Sequence, residues 1–109
     1  MTVLSQSSAW KVLQAHQKEI APLHMHDLFA QDPKRFEAFS LHCGGILLDY
    51  SKNRITAQTM PMLFDLARAA DVEGWRRRMF NGEKINTSEN RAVLHVALRN
   101  TADQPILVD

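Results

Sequence analysis

The sequence predicts an α+β fold, a mostly α-helical chain with one short β ribbon. Three observations carry that expectation. Apolar residues recur at helical spacing in several segments, each bounded by capping residues, Pro or Gly. Gly44-Gly45 breaks the pattern and is followed by Ile46 to Tyr50, which reads as a buried strand. No stretch rich in Gly, Ser or Pro separates these elements, and no internal repeat is visible.

The first helix is expected from Ser8 to Ile20. Ser7 or Ser8 can accept a hydrogen bond from the free amides at its start. Trp10, Leu13, Gln17 and Ile20 fall on one face, and Pro22 stops the helix because its ring forbids continuation. His24 to Ala30 reads as a second, short helix. Asp32 is then expected as an N-cap with Pro33 at the first helical position, where a missing N–H costs nothing. The turn and a half that follows would place Phe36 and Phe39 on one side.

A longer helix is expected over roughly Thr56 to Ala70, burying Met60, Leu63, Phe64, Ala67 and Ala70 along one stripe. Pro61 conflicts with a start at Thr56: either the helix begins nearer Thr59 or its first turn is kinked. Asp71 can cap a further helix, with Glu73 favoured near the positive end of the dipole and Gly82 as its stop. Thr87 or Ser88 would cap a last helix running through Ala92 to Leu98. Pro105 to Val108 reads as a closing strand that could pair with the Ile46 strand.

Composition excludes several classes. The 109 residues make one domain, and 45% hydrophobic with 23% charged residues is an ordinary globular mix. Thirteen basic residues against twelve acidic ones leave a formal charge of +1, so no strong field recruits nucleic acid or an acidic membrane. The single Cys43 cannot form an intramolecular disulfide, which fits a reducing compartment. Met1 to Gln6 shows no basic stretch leading into an apolar one, as a signal peptide would. No apolar run exceeds three residues, Ile46-Leu47-Leu48 among them, far short of the ~20 residues that span a bilayer. The expected location is the cytoplasm.

Each residue set that could carry chemistry has a plainer account. His24 and Asp27 share a helix face, but His24 and His26 do not, and one pair is not a metal site; His16, His42 and His95 are scattered. Cys43 beside His42 suggests a thiol nucleophile, yet adjacent side chains point apart. Trp75-Arg76-Arg77-Arg78 combines a stacking ring with fixed positive charge, and it also sits where a helix C-terminus favours cations. Gly44-Gly45 lacks the further glycine of a dinucleotide loop, and Gly82-Glu83-Lys84 lacks the spacing and hydroxyl of a phosphate loop. Asp49, Asp65, Asp71, Glu73 and Glu89 are accounted for by strand ends, caps and exposed helix faces. From the residues alone no active site is visible, and a free-standing helical interaction module fits them as well as an enzyme segment does.

Longer motifs are more informative. The run from Gly82 to Asn100, with Lys84-Ile85-Asn86 leading into Arg91-Ala92-Val93-Leu94-His95-Val96-Ala97-Leu98-Arg99, strongly resembles a segment near the start of glucose-6-phosphate isomerases. Asn90 departs mildly from the Asp or Gly usual there. Leu48-Asp49-Tyr50-Ser51-Lys52-Asn53, Leu63 to Ala67, Met79 to Gly82, Leu28-Phe29 and Asp32-Pro33-x-Arg35-Phe36 also resemble that family, in the expected order. The resemblance covers about Trp10 to Asp109.

It implies an N-terminal segment, 1–109, of a longer α/β sugar-isomerase enzyme whose catalytic domains lie outside this chain. The family's groups for ring opening, phosphate binding and proton transfer would all lie later, so no catalytic, cofactor-binding or metal role falls on any residue here, Arg91, His95 and Arg99 included. The implied parent reaction interconverts an aldose phosphate and a ketose phosphate. A carboxylate base moves a proton between adjacent carbons through an enediolate, with no metal or organic cofactor. The implied partners are the sugar phosphate, the remaining domains and a second copy in a cytoplasmic homodimer of glycolysis and gluconeogenesis, without nucleic acid or membrane. The Phe36–Phe39 side and the Val93–Leu98 segment would then be left uncovered in this chain, favouring self-association or marginal stability.

Overall fold

A computed structural model describes residues 3–108. It is mostly helical, with one two-stranded antiparallel ribbon. The chain divides into two compact units, 1–66 and 67–109, the division falling within one helix.

In the first unit a 3₁₀ turn at Leu4–Gln6 precedes α1, Ser8–Ile20. Ser7 is the N-cap, its Oγ accepting from the Trp10 amide at 3.2 Å. Helix α2 spans Met25–Gln31, one residue later at each end than expected, with His24 in the N-cap position. The next turn starts later than expected. Asp32 Oδ1 accepts from the Lys34 amide at 3.0 Å, forming a local side-chain turn, so α3 is only Arg35–Ala38. Because α3 ends there, Phe39 leaves the helical path and is buried, whereas Phe36 stays 43% exposed. The two rings do not share a side.

Strand β1, Ser40–Cys43, pairs with β2, Ile46–Asp49, in the register Ser40 with Asp49 through Cys43 with Ile46. Gly44 and Gly45 both take positive φ, 53° and 81°, as a two-residue hairpin turn of the primed type requires. The Ile46 strand therefore pairs with its immediate predecessor rather than with Pro105–Val108, which form no strand. A tight Gly-Gly turn closes a hairpin at far smaller entropic cost than a loop of some fifty residues would.

Helix α4 spans Thr59–Ala69, which resolves the conflict at Pro61. Starting at Thr59 puts the proline in the first turn, where its missing N–H would have had no intrahelical partner. The expected apolar stripe forms but is not buried: Leu63 and Phe64 are 39% and 51% exposed, and Thr59 is the one buried residue of the helix.

In the second unit α5 spans Val72–Phe80. Asp71 precedes it in the left-handed region at φ 53°, and its side chain caps nothing. The helix closes as expected at Gly82. The Gly82 amide donates to Met79 O at 3.2 Å and the Glu83 amide to Arg78 O at 3.0 Å, a Schellman closure with glycine at φ 77°. A β-carbon on Gly82 would also collide with the Leu107 carbonyl.

The expected helix from Thr87 through Leu98 does not form. Asn86 and Arg91 make an isolated antiparallel bridge, Asn86 Oδ1 accepts from the Glu89 amide at 3.3 Å, and Asn90 sits at φ 54°. These short polar side chains offer the backbone a turn in place of helical bonds, and the left-handed residue ends any helix that begins before it. Only the 3₁₀ turn Ala97–Arg99 remains. Among the described residues no helix is long and apolar enough to cross a membrane.

Candidate functional site

The buried centre of the first unit is polar. Phe39 is the single buried hydrophobic residue among those described, beside His16, Arg35, Ser51 and Thr59. Arg35, 3% exposed, donates from Nε to Ser51 O at 2.9 Å and from Nη2 to Asn53 O and Ile55 O at 2.9 and 3.0 Å. Its guanidinium lies 4.7 Å from the Phe39 ring centroid and 5.5 Å from that of Phe29. Phe39 in turn meets Tyr50 edge to face at 5.9 Å. A planar cation close to two aromatic rings, with its donors aimed at alternate carbonyls, holds the 51–55 loop against α3.

Ser51 extends this cluster. Its amide and hydroxyl donate to Asp49 Oδ1 at 2.9 and 2.6 Å. The two bonds hold the Asp49 carboxyl below its ordinary value, hydroxyl first, with slight desolvation opposing and Lys52 adding a small attraction. Arg54 reaches the carbonyls of Ala21 and Leu23, the latter at 2.9 Å. A second buried contact joins α1 to the start of α4: His16 Nε2 lies 2.7 Å from Thr59 Oγ1, which accepts from the Thr56 amide at 2.9 Å. His16 Nδ1 is buried without a hydrogen bond, with Glu19 Oε2 at 3.6 Å.

The sequence-derived candidates are not brought together. His26 is 93% exposed and pairs only with Asp27, at 3.4 Å, while His24 lies before α2. Among the described residues no group of three His, Cys, Asp or Glu side chains could hold a metal ion. Cys43 is exposed, and neighbouring strand residues project to opposite faces, so His42 is on the other side of the ribbon. Arg78 stacks on Trp75 at 3.9 Å and contacts Asp71 Oδ2 at 3.4 Å, so this arginine is engaged by its own helix and the residue preceding it. Arg91 lies 4.0 Å from Glu89, both well exposed, and Arg99 donates to the His95 carbonyl at 2.9 Å.

Open grooves occur in both units among the described residues. One, of about 310 Å³, is lined by Trp10, Leu13, Gln14, Gln17 and Lys18, the α1 face that was expected to be apolar. The other, of about 390 Å³, lies in the second unit around Phe80, Val96, Arg99 and Ile106. Neither holds a nucleophile beside a base or a pair of converging carboxylates, the minimum for acyl transfer or acid–base work.

Sequence reasoning missed Arg35 and His16 as organising residues, because a charged residue and a lone histidine are by default exposed. A signal was nonetheless present. Arg35 and Ser51–Asn53 belong to two separate motifs carrying the family resemblance, and in the structure these motifs meet at one guanidinium.

Comparison with known proteins agrees with that resemblance. The family profile described as Phosphoglucose isomerase matches residues 49–109. The glucose-6-phosphate isomerase of Dechloromonas aromatica is 59% identical over 93 residues, covering 85% of this chain and 18% of the relative. Glucose-6-phosphate isomerase 1 of Neisseria gonorrhoeae is 57% identical over 101 residues, 93% of this chain and 18% of its own. A Shewanella baltica glucose-6-phosphate isomerase is 53% identical across all 109 residues, 20% of its length. The chain thus spans about a fifth of the length of the curated relatives it matches. With the family profile covering more than half of it, this chain belongs to the phosphoglucose isomerase family.

Proposed function

We propose that this chain serves as the N-terminal scaffold of a glucose-6-phosphate isomerase, interconverting glucose 6-phosphate and fructose 6-phosphate only as part of the longer enzyme. The observation that carries this reading is identity of 53–59% to relatives of that name, from which the chain draws about a fifth of their length. The proton transfer between adjacent carbons, with a carboxylate base, falls to residues outside this chain; no cofactor is required. Among the described residues, the buried Arg35 and His16 join distant segments of the chain. A cytoplasmic homodimer handling the sugar phosphate is the assembly that fits such an enzyme.

The test is a replacement. This chain is substituted for the matching stretch of the Neisseria gonorrhoeae relative, and the full-length chimera is assayed for conversion of fructose 6-phosphate. Activity within about tenfold of the unaltered relative is expected, since a scaffold exchange at this identity repacks rather than removes contacts. The 109-residue chain alone should show none. A folded chimera without activity would sink the reading.

A further inference from the structure

We infer that Asn81-Gly82 is a modification site: the closed end of α5 holds it against spontaneous deamidation, and the isoaspartate it yields on opening keeps that end open. The inference goes beyond the isomerase reading and does not depend on it. Asn81-Gly82 is the one Asn-Gly pair in the sequence. Glycine has no side chain to obstruct its own amide, so its nitrogen can approach the preceding side chain closely. In the reaction the Gly82 nitrogen bonds to Asn81 Cγ and the Cγ–Nδ2 bond breaks. Nδ2 leaves as ammonia, carrying the proton that the Gly82 amide gives up. Water then opens the five-membered imide at either carbonyl. One opening leaves aspartate; the other leaves isoaspartate, with the main chain routed through Cβ.

The fold obstructs this reaction at the attacking nitrogen. Asn81 is exposed, so water reaches its side chain. Gly82 is buried, its amide donates to Met79 O at 3.2 Å, and the Leu107 carbonyl lies where a β-carbon would stand. Asn81 has φ −81° and ψ −1°, a helical backbone that turns the Gly82 nitrogen away from the Asn81 side chain. Ring closure needs the two nearly eclipsed, so the Gly82 amide must first leave Met79. Attack therefore waits on local opening at the end of α5.

The isoaspartate product does not regain the closed form. The Gly82-to-Met79 and Glu83-to-Arg78 bonds both span Asn81, so one added backbone carbon enlarges both hydrogen-bonded rings at once. The new carboxylate also stands at the negative end of the helix dipole.

The test compares the full-length chimera described above with a synthetic peptide of residues 78–86 at the same mildly alkaline pH. Mass spectrometry follows loss of the Asn81 amide, and enzymatic carboxyl methylation counts isoaspartate. Conversion at least about tenfold slower in the folded chimera is expected, as for any group that reacts only when opened. In urea the chimera should convert at the rate of the peptide. Arg77→Gly, at an exposed position in the last turn of α5, should speed conversion about fivefold by weakening the helix. Arg77→Ala removes the same charge, keeps the helix and should not. In the converted protein, hydrogen exchange at Gly82 and Glu83 should accelerate. A folded chimera that converts as fast as the peptide, or one that stays slow in urea, would overturn the shielding, as would Arg77→Gly converting no faster than Arg77→Ala. Unchanged exchange at Gly82 and Glu83 after conversion would overturn the lasting opening. Should Arg77→Gly prevent folding, the chimera with and without urea still decides.

Discussion

The two units of this chain are held by different means. In the first, the decisive contacts join residues distant in sequence: Arg35 reaches Ser51, Asn53 and Ile55, and His16 reaches Thr59. In the second, they are mostly local. Arg78 stacks three residues back, Asn86 ties to Glu89, and Asn100 Nδ2 donates to Gln104 O at 3.0 Å. Local turns close at small entropic cost and fray independently, whereas a buried cation bonded to carbonyls fails as a unit. Cooperativity should therefore be concentrated in the first unit.

The largest effect is expected at Arg35. Arg35→Met keeps an apolar stem but strips the donors from three carbonyls, each worth about 1–3 kcal/mol when left unpaired in a buried site. A loss on the order of 3 kcal/mol or more is expected by urea denaturation. A loss under about 1 kcal/mol would mean that water satisfies those carbonyls and that the cluster organises little.

A smaller effect is expected in the second unit. Gly82→Ala puts a β-carbon on a residue at φ 77° and into the Leu107 carbonyl, so the closure of α5 should loosen at a cost of about 1–2 kcal/mol. Hydrogen exchange should accelerate for the Gly82 and Glu83 amides and leave the amides around Arg35 untouched. Acceleration in both units would refute the separation.

The smallest effect concerns pH. Asp49 has a lowered native value, so the stabilisation from its Ser51 bonds is present above the unfolded value near 3.8 and is lost as pH falls below it. Asp49→Asn should slightly flatten the acid limb of the stability profile and leave neutral pH nearly unchanged. An unaltered acid limb would show that those bonds do not depend on the charge.

These regions also differ in how far the sequence discloses them. The capping serine and Pro22 bound α1 to the residue, and Gly82 marks the end of α5, because caps act through neighbours a few positions away. The fold class was equally legible. The ribbon's partner was not: the Ile46 strand is compatible with any apolar strand, and only the geometry of the Gly44-Gly45 turn selects Ser40–Cys43. The expected helix over 87–98 failed because its apolar spacing says nothing about competing turns at Asn86 and Asn90. Apolar periodicity also overstated burial, as Leu63, Phe64 and Leu98 show. Periodicity marks a face suited to burial but carries no information on whether a cover is present. The polar centre at Arg35 escaped for the converse reason, since only tertiary structure gives an arginine enough carbonyls to be buried.

The two-glycine turn has a consequence for parity. With side chains alternating along each strand, a turn lengthened or shortened by one residue would shift the pairing by one and send Leu41 and Cys43 to the opposite side from Leu48 and Ile46. The count of residues at the tip therefore works as an odd–even selector, determining whether the four side chains form one continuous surface or are split between two. A single inserted residue between Cys43 and Ile46 would scramble that surface without altering any residue in it.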